Sequence, residues 1–409
     1  MKVLWFTNTP SNYTNSSNIY NGGGWISSLE KEFKQRKEIE LAICFLFNEE
    51  KKVLKDGVIY YPIKPIKSYK YSQFFKRKYH IQDDISLIHK FLDVIDDFKP
   101  DIIHIFGSEM QFGLISKFTK IPIVLHIQGI LAPCLNAYLP PFISWTSLYW
   151  GNTNPLHILR RIKEKIFWEY SVNREKEIIE NIYNYIGRTT WDKRVIKTLN
   201  PQCKYYIGNE ILRETFYNPL PRIIPQQLTI VSTISNSFYK GLDLILKTAV
   251  LLKRNFKLKF RWIVYGNINP SLIEKLTKIS HKEVYIEFKG VASADEIKKA
   301  ISSCTLYMHP SYIDNSPNSL CEAQILGCPV IATNIGGIPS LVKEGKTGFL
   351  IPANDPYQAA YLINELYHDE KSNIEIGNNA QKEANIRHNT TTIINELIKT
   401  YQDIIVSNN

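Results

Sequence analysis

HPSYIDNSPNSLCEAQILGCPVIA, residues 309–332, reads as a strand end, a polar loop and a helix that leads into a second strand. The apolar run stops at Pro310, and Ser316-Pro317 supplies the residue pair that commonly caps and opens a helix. The expected helix, Asn318 to Leu326, aims the free N–H groups of Asn318, Ser319 and Leu320 past the C-terminal edge of the preceding strand. Such a terminus favours an anion, and a diphosphate fits it best. Glu322 stands about a turn inside the helix, where its two oxygens can accept from vicinal ribose hydroxyls. Asp314, in the loop ahead, is placed to reach a sugar hydroxyl.

Outward from this unit, short β-rich runs alternate with longer helical patterns, which predicts α/β layers built on mostly parallel sheets. Strands are expected at Lys2–Thr7, Glu40–Phe47, Val58–Pro62, Asp101–Phe106 and Ile121–His126. In the second half they are expected at Leu228–Thr233, Phe260–Tyr265, Val284–Phe288, Thr305–His309 and Pro329–Ala332. Helical patterns cover Trp25–Arg36, Asp83–Phe98, Leu156–Asn181, Leu242–Leu252 and Ala294–Ser302. A chain of 409 residues exceeds the size at which one core usually splits, so each half is expected to be a doubly wound domain. Prolines among polar residues mark the break. The expected division is 1–209, a linker at 210–227, a second domain at 228–389, and a last helix at 390–409 that could pack on either domain, the first included.

The 309–332 block resembles the E-x7-E signature of the retaining GT-B glycosyltransferases known as family 4, or glycosyl transferases group 1, found in bacterial polysaccharide biosynthesis. Asp314 and Glu322 have seven residues between them, with aspartate where the family usually has glutamate. CPVIATNIGGIP from Cys328 and EGKTGFLIP from Glu344 continue the match, with Ser340 where an acidic residue is usual. SFYKGLD, residues 237–243, resembles the family's basic loop, which makes Lys240 the expected grip on the donor phosphates. The family's arginine a few residues earlier has no counterpart in Thr233–Ser237, and Arg188 is a candidate substitute.

In the first half, NGGGW at residues 21–25 offers Gly22, Gly23 and Gly24 for close backbone approach to a ligand, as the family's donor loop does. The Rossmann dinucleotide pattern G-x-G-x-x-G is absent. His126 ends a buried strand at the edge where α/β proteins bind ligands, and it resembles the family's active-site histidine. His104 reads as a core residue, while Glu109 faces the same crevice. The resemblance implies two Rossmann-like domains across a cleft, a nucleotide-sugar donor, a saccharide or lipid-linked acceptor, and no metal cofactor. A metal-dependent GT-A enzyme would carry a D-x-D motif at a strand end, whereas the pairs Asp83-Asp84 and Asp96-Asp97 lie in helical patterns.

The net charge of +11 asks for an anionic partner, but zinc-finger spacings, RNP-like strings and basic regions feeding heptads are missing, so nucleic acid is not expected. Six cysteines without a C-x-x-C pair suggest neither zinc nor a disulfide framework. No apolar stretch approaches the roughly 18 residues of a membrane span. The opening MKVLWFTNTP reads as a strand rather than a leader, which gives a cytoplasmic expectation. Lys64–Lys78 and Pro133–Tyr170 mix basic and aromatic residues; the composition suits either an anionic membrane surface or an ordinary solvated face. Acceptors are expected to enter near Gly22–Gly24 and the aromatic segment after Pro133. A GT-B-like sugar-nucleotide epimerase, a phosphorylase and a non-catalytic sugar-nucleotide-binding protein are the rival readings.

Overall fold

The computed structural model describes residues 1–14, 24–65, 76–150 and 155–408. The first sheet comprises β1 (Lys2–Thr7), β2 (Glu40–Leu46), β3 (Val53–Lys55), β4 (Val58–Ile63), β5 (Ile102–Phe106), β6 (Ile123–His126), β7 (Asn184–Gly187) and β8 (Lys204–Ile207). Their order is β3-β4-β2-β1-β5-β6-β7-β8, parallel except where β3 folds back on β4. Helices α1 (Gly24–Phe33), α2 (Lys76–Phe98), α3 (Leu131–Asn136), α4 (Trp145–Trp150), α5 (Pro155–Asn181) and α6 (Thr190–Leu199) accompany it.

The second sheet orders β9 (Leu228–Thr233), β10 (Phe260–Tyr265), β11 (Ile286–Gly290), β12 (Leu306–His309), β13 (Val330–Thr333) and β14 (Phe349–Ile351) as β11-β10-β9-β12-β13-β14, all parallel. Its helices are α7 (Leu242–Arg254), α8 (Ser271–Thr277), α9 (Ala294–Ser302), α10 (Asn318–Ile325), α11 (Pro356–His368) and α12 (Glu370–Arg387). These are two doubly wound α/β layers, the GT-B architecture. Both faces of the central strands are covered, so β1, β5 and β12 are apolar along nearly their whole length and buried. Strand order reverses between β1 and β5 in one sheet and between β9 and β12 in the other. The crevices at those two reversals, beyond the strands' C-terminal ends, are where ligands lodge in such sheets.

Most elements fall within a few residues of their expected places, and the departures have local causes. The strand expected at Val284–Phe288 begins only at Ile286, because Lys282–Val284 forms a 3₁₀ turn and Tyr285 takes a left-handed φ of 56°. α2 starts seven residues before Asp83, at Lys76.

Helix α13 (Thr390–Asn408) lies on the first sheet beside α1, with Ile393, Ile394, Leu397 and Ile404 packed among Val3, Trp5, Leu29 and Phe33. At the centre of this contact Tyr401, fully buried, accepts from Trp5 Nε1 at 3.2 Å and hydrogen-bonds His104 Nδ1. This confirms His104 as a core residue whose ring orientation is set by the last helix. Tyr401→Phe would orphan two buried groups, which costs about 1–3 kcal/mol. The expected outcome is a lower midpoint of urea unfolding with an unchanged slope.

Candidate active site

The loops that leave β9 and β12 meet at the reversal of the second sheet. Lys240 Nζ donates to Asp314 Oδ2 at 2.6 Å, and His309 Nε2 lies 3.1 Å from the same oxygen. Gly241 makes the approach possible: its φ is 77°, and a Cβ there would sit 2.0 Å from the carbonyl oxygen of Pro310. Gly336 acts likewise on the other side, against the carbonyl of Asp314. Burial works against a charge on Asp314, but Lys240 and His309 outweigh it and hold the carboxyl well below the usual range. Burial also opposes the Lys240 charge, and Asp314 more than compensates, so the ammonium stays protonated.

α10 begins one residue later than a Ser316 cap would set. Pro317 is the residue before the helix, and Ser316 Oγ is turned away to donate to Glu210 Oε1 at 2.7 Å. The amide of Leu320 is not free either: it bonds to the carbonyl of Pro317 at 3.0 Å. Of the three amides expected to be free at the start of the helix, Asn318 and Ser319 remain so and Leu320 does not. Deeper in the helix Glu322, 2% exposed, is gripped side-on by Arg213, with Nε to Oε1 and Nη2 to Oε2 both at 2.7 Å. Burial pushes the Glu322 carboxyl up and Arg213 opposes it. Sequence reading missed this partner, because Arg213 sits in the stretch taken as a linker and nothing local marks it.

His126, at the end of β6, stacks on His104 and meets Trp25 edge-on at 5.0 Å. Burial, with Arg188 and His104 nearby, drives its pKa well below the usual value, so the ring is neutral. Arg188 lies over the Trp25 ring at 4.3 Å and 3.4 Å from Glu210 Oε2. The carboxyl of Glu210 is held down to about 2: burial opposes this, and Arg188, His388 and Arg387 outweigh it. Arg188 is therefore already committed to an internal ion pair. Glu109 follows β5 and accepts from the Gly129 N–H at 3.1 Å, with burial raising its pKa. Gly22 and Gly23 lie outside the described residues; Gly24 opens α1 with φ 64° and open space beside it.

The two domains are bonded directly to each other through the residue after Asp314. Asn315 donates to the Gln128 carbonyl at 3.3 Å and to Asp192 at 2.9 Å, and accepts from Thr189 at 2.6 Å. The aromatic segment after Pro133 packs in part against the second domain. Ile143 and Leu148 are buried in the core of the second domain, Tyr138 meets Phe238 and Tyr239, and Lys247 lies 4.0 Å over Phe142. Its apolar residues bridge the domains beside the Lys240 loop.

Beside Arg213 a cavity of about 730 Å³ opens between α1, the crossing chain and the loop before α9, with Asn12, Ser27, Thr215, Val291 and Ser293 in its wall. That volume suits a small-molecule ligand. Among the described residues one group has metal-ligand spacing: Glu210, Cys321 and His388, all buried. Its carboxylate already faces Arg188, and a cation there would lie among guanidinium groups.

Two doubly wound sheets, joined across a cleft and carrying a spaced acidic pair at the second reversal, have the GT-B architecture. Residues 222–383 match the family model described as Glycosyl transferases group 1. The chain is 25% identical over 325 residues to the D-inositol 3-phosphate glycosyltransferase of Corynebacterium glutamicum, covering 76% of this chain and 73% of that one. Among solved structures it resembles the sucrose-phosphate synthase of Thermosynechococcus elongatus, with TM-score 0.72, 12% identity and 99% of each chain covered. Anabaena HepE in complex with UDP-glucose gives a TM-score of 0.65 at 15% identity, over 98% of this chain and 100% of that one.

Proposed function

We propose that the chain transfers a sugar from a nucleotide-sugar donor to a saccharide or lipid-linked saccharide acceptor, with retention at the anomeric carbon, in the assembly of a surface polysaccharide. The observation that carries this reading is the convergence of Lys240, Asp314, the amides of Asn318 and Ser319, and Glu322 on one sheet reversal. In this reading Glu322 takes the ribose, and the nucleoside occupies the cavity beside Arg213. Lys240, whose ammonium has three donors, keeps one on Asp314 and turns others to the diphosphate. Asp314 and the neutral His126 contact the transferred sugar.

The acceptor oxygen bonds to the anomeric carbon on the face from which the phosphate departs. The departing phosphate oxygen receives the acceptor's proton, so no protein base is required. Lys240 and the α10 amides stabilise the charge that grows on the leaving group, and a metal has no task left in this scheme. The UDP-glucose bound to HepE makes UDP-sugars the first donors to try. The test is release of nucleoside diphosphate and the anomeric configuration of the product, read by NMR with a panel of donors and acceptors. An inverted product, or no transfer with any pair, overturns the reading.

A membrane-borne acceptor fits α5, where Leu159, Ile162 and Ile166 are 44%, 38% and 45% exposed beside the exposed Arg160. No helix among the described residues is long and apolar enough to cross a membrane, so attachment would be peripheral, at the cytoplasmic face. Vesicles containing anionic lipid should retain the protein at low salt, and Ile166→Asp should reduce that retention several-fold. Equal behaviour on neutral vesicles, or no retention, rejects the membrane surface as a partner.

A further inference from the structure

We infer that Arg213 is a positioning residue for the donor's ribose: by clamping Glu322 side-on, it fixes the carboxylate so that its remaining lone pairs meet a cis-diol. The inference rests on the reading of Glu322 as the ribose ligand. Its geometry is independent of that reading. Glu322 is embedded among Leu320, Cys321, Ala323 and Ile325, all essentially buried, where a lone carboxylate would be strongly disfavoured. The guanidinium meets it fork to fork, one nitrogen on each oxygen at 2.7 Å. A side-on pair uses one lone pair of each oxygen and leaves one on each for another donor. Two hydroxyls at vicinal spacing match what is left; a single hydroxyl does not.

Arg213 is itself held from two directions. Its guanidinium lies 4.9 Å from the Phe216 ring centroid. Its neighbour Leu212 donates its N–H to Tyr217 Oη at 3.0 Å, and that hydroxyl donates to the carbonyl of His388 at 2.8 Å. His388 lies where the chain returns to the first domain, so the arginine is anchored to both crossings between the domains. Its third nitrogen bonds to no described residue, and the side chain, 21% exposed, lines the cavity assigned above to the nucleoside. A clamp built into the wall of the ligand cavity, rather than behind it, is placed to act on the ligand's sugar.

The test measures affinity for UDP and 2′-deoxy-UDP, and for the matching GDP pair, by titration calorimetry on wild type, Glu322→Ala, Arg213→Met and Arg213→Lys. Wild type is expected to favour the ribo form at least tenfold. Arg213→Met should weaken the ribo form tenfold or more and bring the two forms within about twofold of each other. Arg213→Lys should recover part of the preference, since an ammonium keeps the charge without the fork. Donor KM should rise in both variants, with kcat at saturating donor within threefold of wild type. If Arg213→Met does not fold, Arg213→Lys decides: an undiminished ribo preference overturns the inference. Full preference in Arg213→Met overturns it as well. Loss of the preference in Glu322→Ala but not in the arginine variants removes the inference alone. Its persistence in Glu322→Ala, or its absence in wild type, removes the ribose reading and the inference with it.

Discussion

Lys240→Met should lower kcat at saturating donor by about 10²–10³. Removing one preorganised donor from a site where charge develops typically has that effect. Lys240 is well placed to exert it. Its ammonium is fixed by Asp314 at 2.6 Å, at the end of a loop that Gly241 presses against β12, and it remains charged despite its burial. The family's usual second cation has no counterpart between Thr233 and Ser237, and Arg188 is engaged by Glu210. In the proposed scheme Lys240 therefore carries a larger share of the stabilisation than it would with an arginine beside it. Asp314 loses its main counter-charge in this variant and its pKa moves up toward the normal range. Combining Lys240→Met with Asp314→Asn should cost much less than the product of the two single losses, since the pair acts as a unit. A single-variant kcat within threefold of wild type would remove Lys240 from the mechanism.

Glu322→Ala should weaken nucleoside diphosphate binding by about 10²–10³. Two hydrogen bonds from ribose hydroxyls to an ionised carboxylate contribute about 1.5–3 kcal/mol each. Even part of that sum amounts to two or three factors of ten at about 1.4 kcal/mol each. The substitution also frees Arg213, but its side chain borders the open cavity and can turn to water, so folding should survive. Glu322→Gln is the sharper control. It keeps the volume and one acceptor, yet turns an N–H₂ toward the guanidinium that grips both carboxylate oxygens. It should lose nearly as much affinity as alanine, as read by titration calorimetry. An affinity close to wild type would mean that the ribose lies elsewhere.

The parts of this molecule legible in its sequence are those whose physics is local. β9 and β10 fall at their expected bounds because strands covered on both faces are marked by continuous apolar runs. Edge strand β3 escapes notice: three residues long and antiparallel, it leaves Leu54 72% exposed and carries no apolar alternation. β7 and β8, four residues each, are too short to stand out from the helices that flank them. The motif around Asp314 and Glu322 could be read because its residues lie within one βα unit. What completes the site could not. Arg213 reaches Glu322 across 109 positions, and Asn315 finds Thr189 across 126. Ser316 had the right composition for a cap, but a buried carboxylate from the hinge, Glu210, competes successfully for its hydroxyl. The aromatic run after Pro133 reads in sequence as a membrane-facing or solvated surface, whereas Ile143 and Leu148 within it pack into the core of the other domain.

The central claim is a nucleoside diphosphate site on the second domain that needs no metal. The most direct measurement is thermal unfolding of the wild-type protein in EDTA with UDP, GDP, ADP and NAD in turn. A ligand at about 100 times its dissociation constant adds about 2.7 kcal/mol of stability, which is readily seen as a shift in midpoint. The account predicts clear stabilisation by one nucleoside diphosphate and none by NAD. Stabilisation by NAD alone, by no nucleotide, or only after a divalent cation is restored would contradict it.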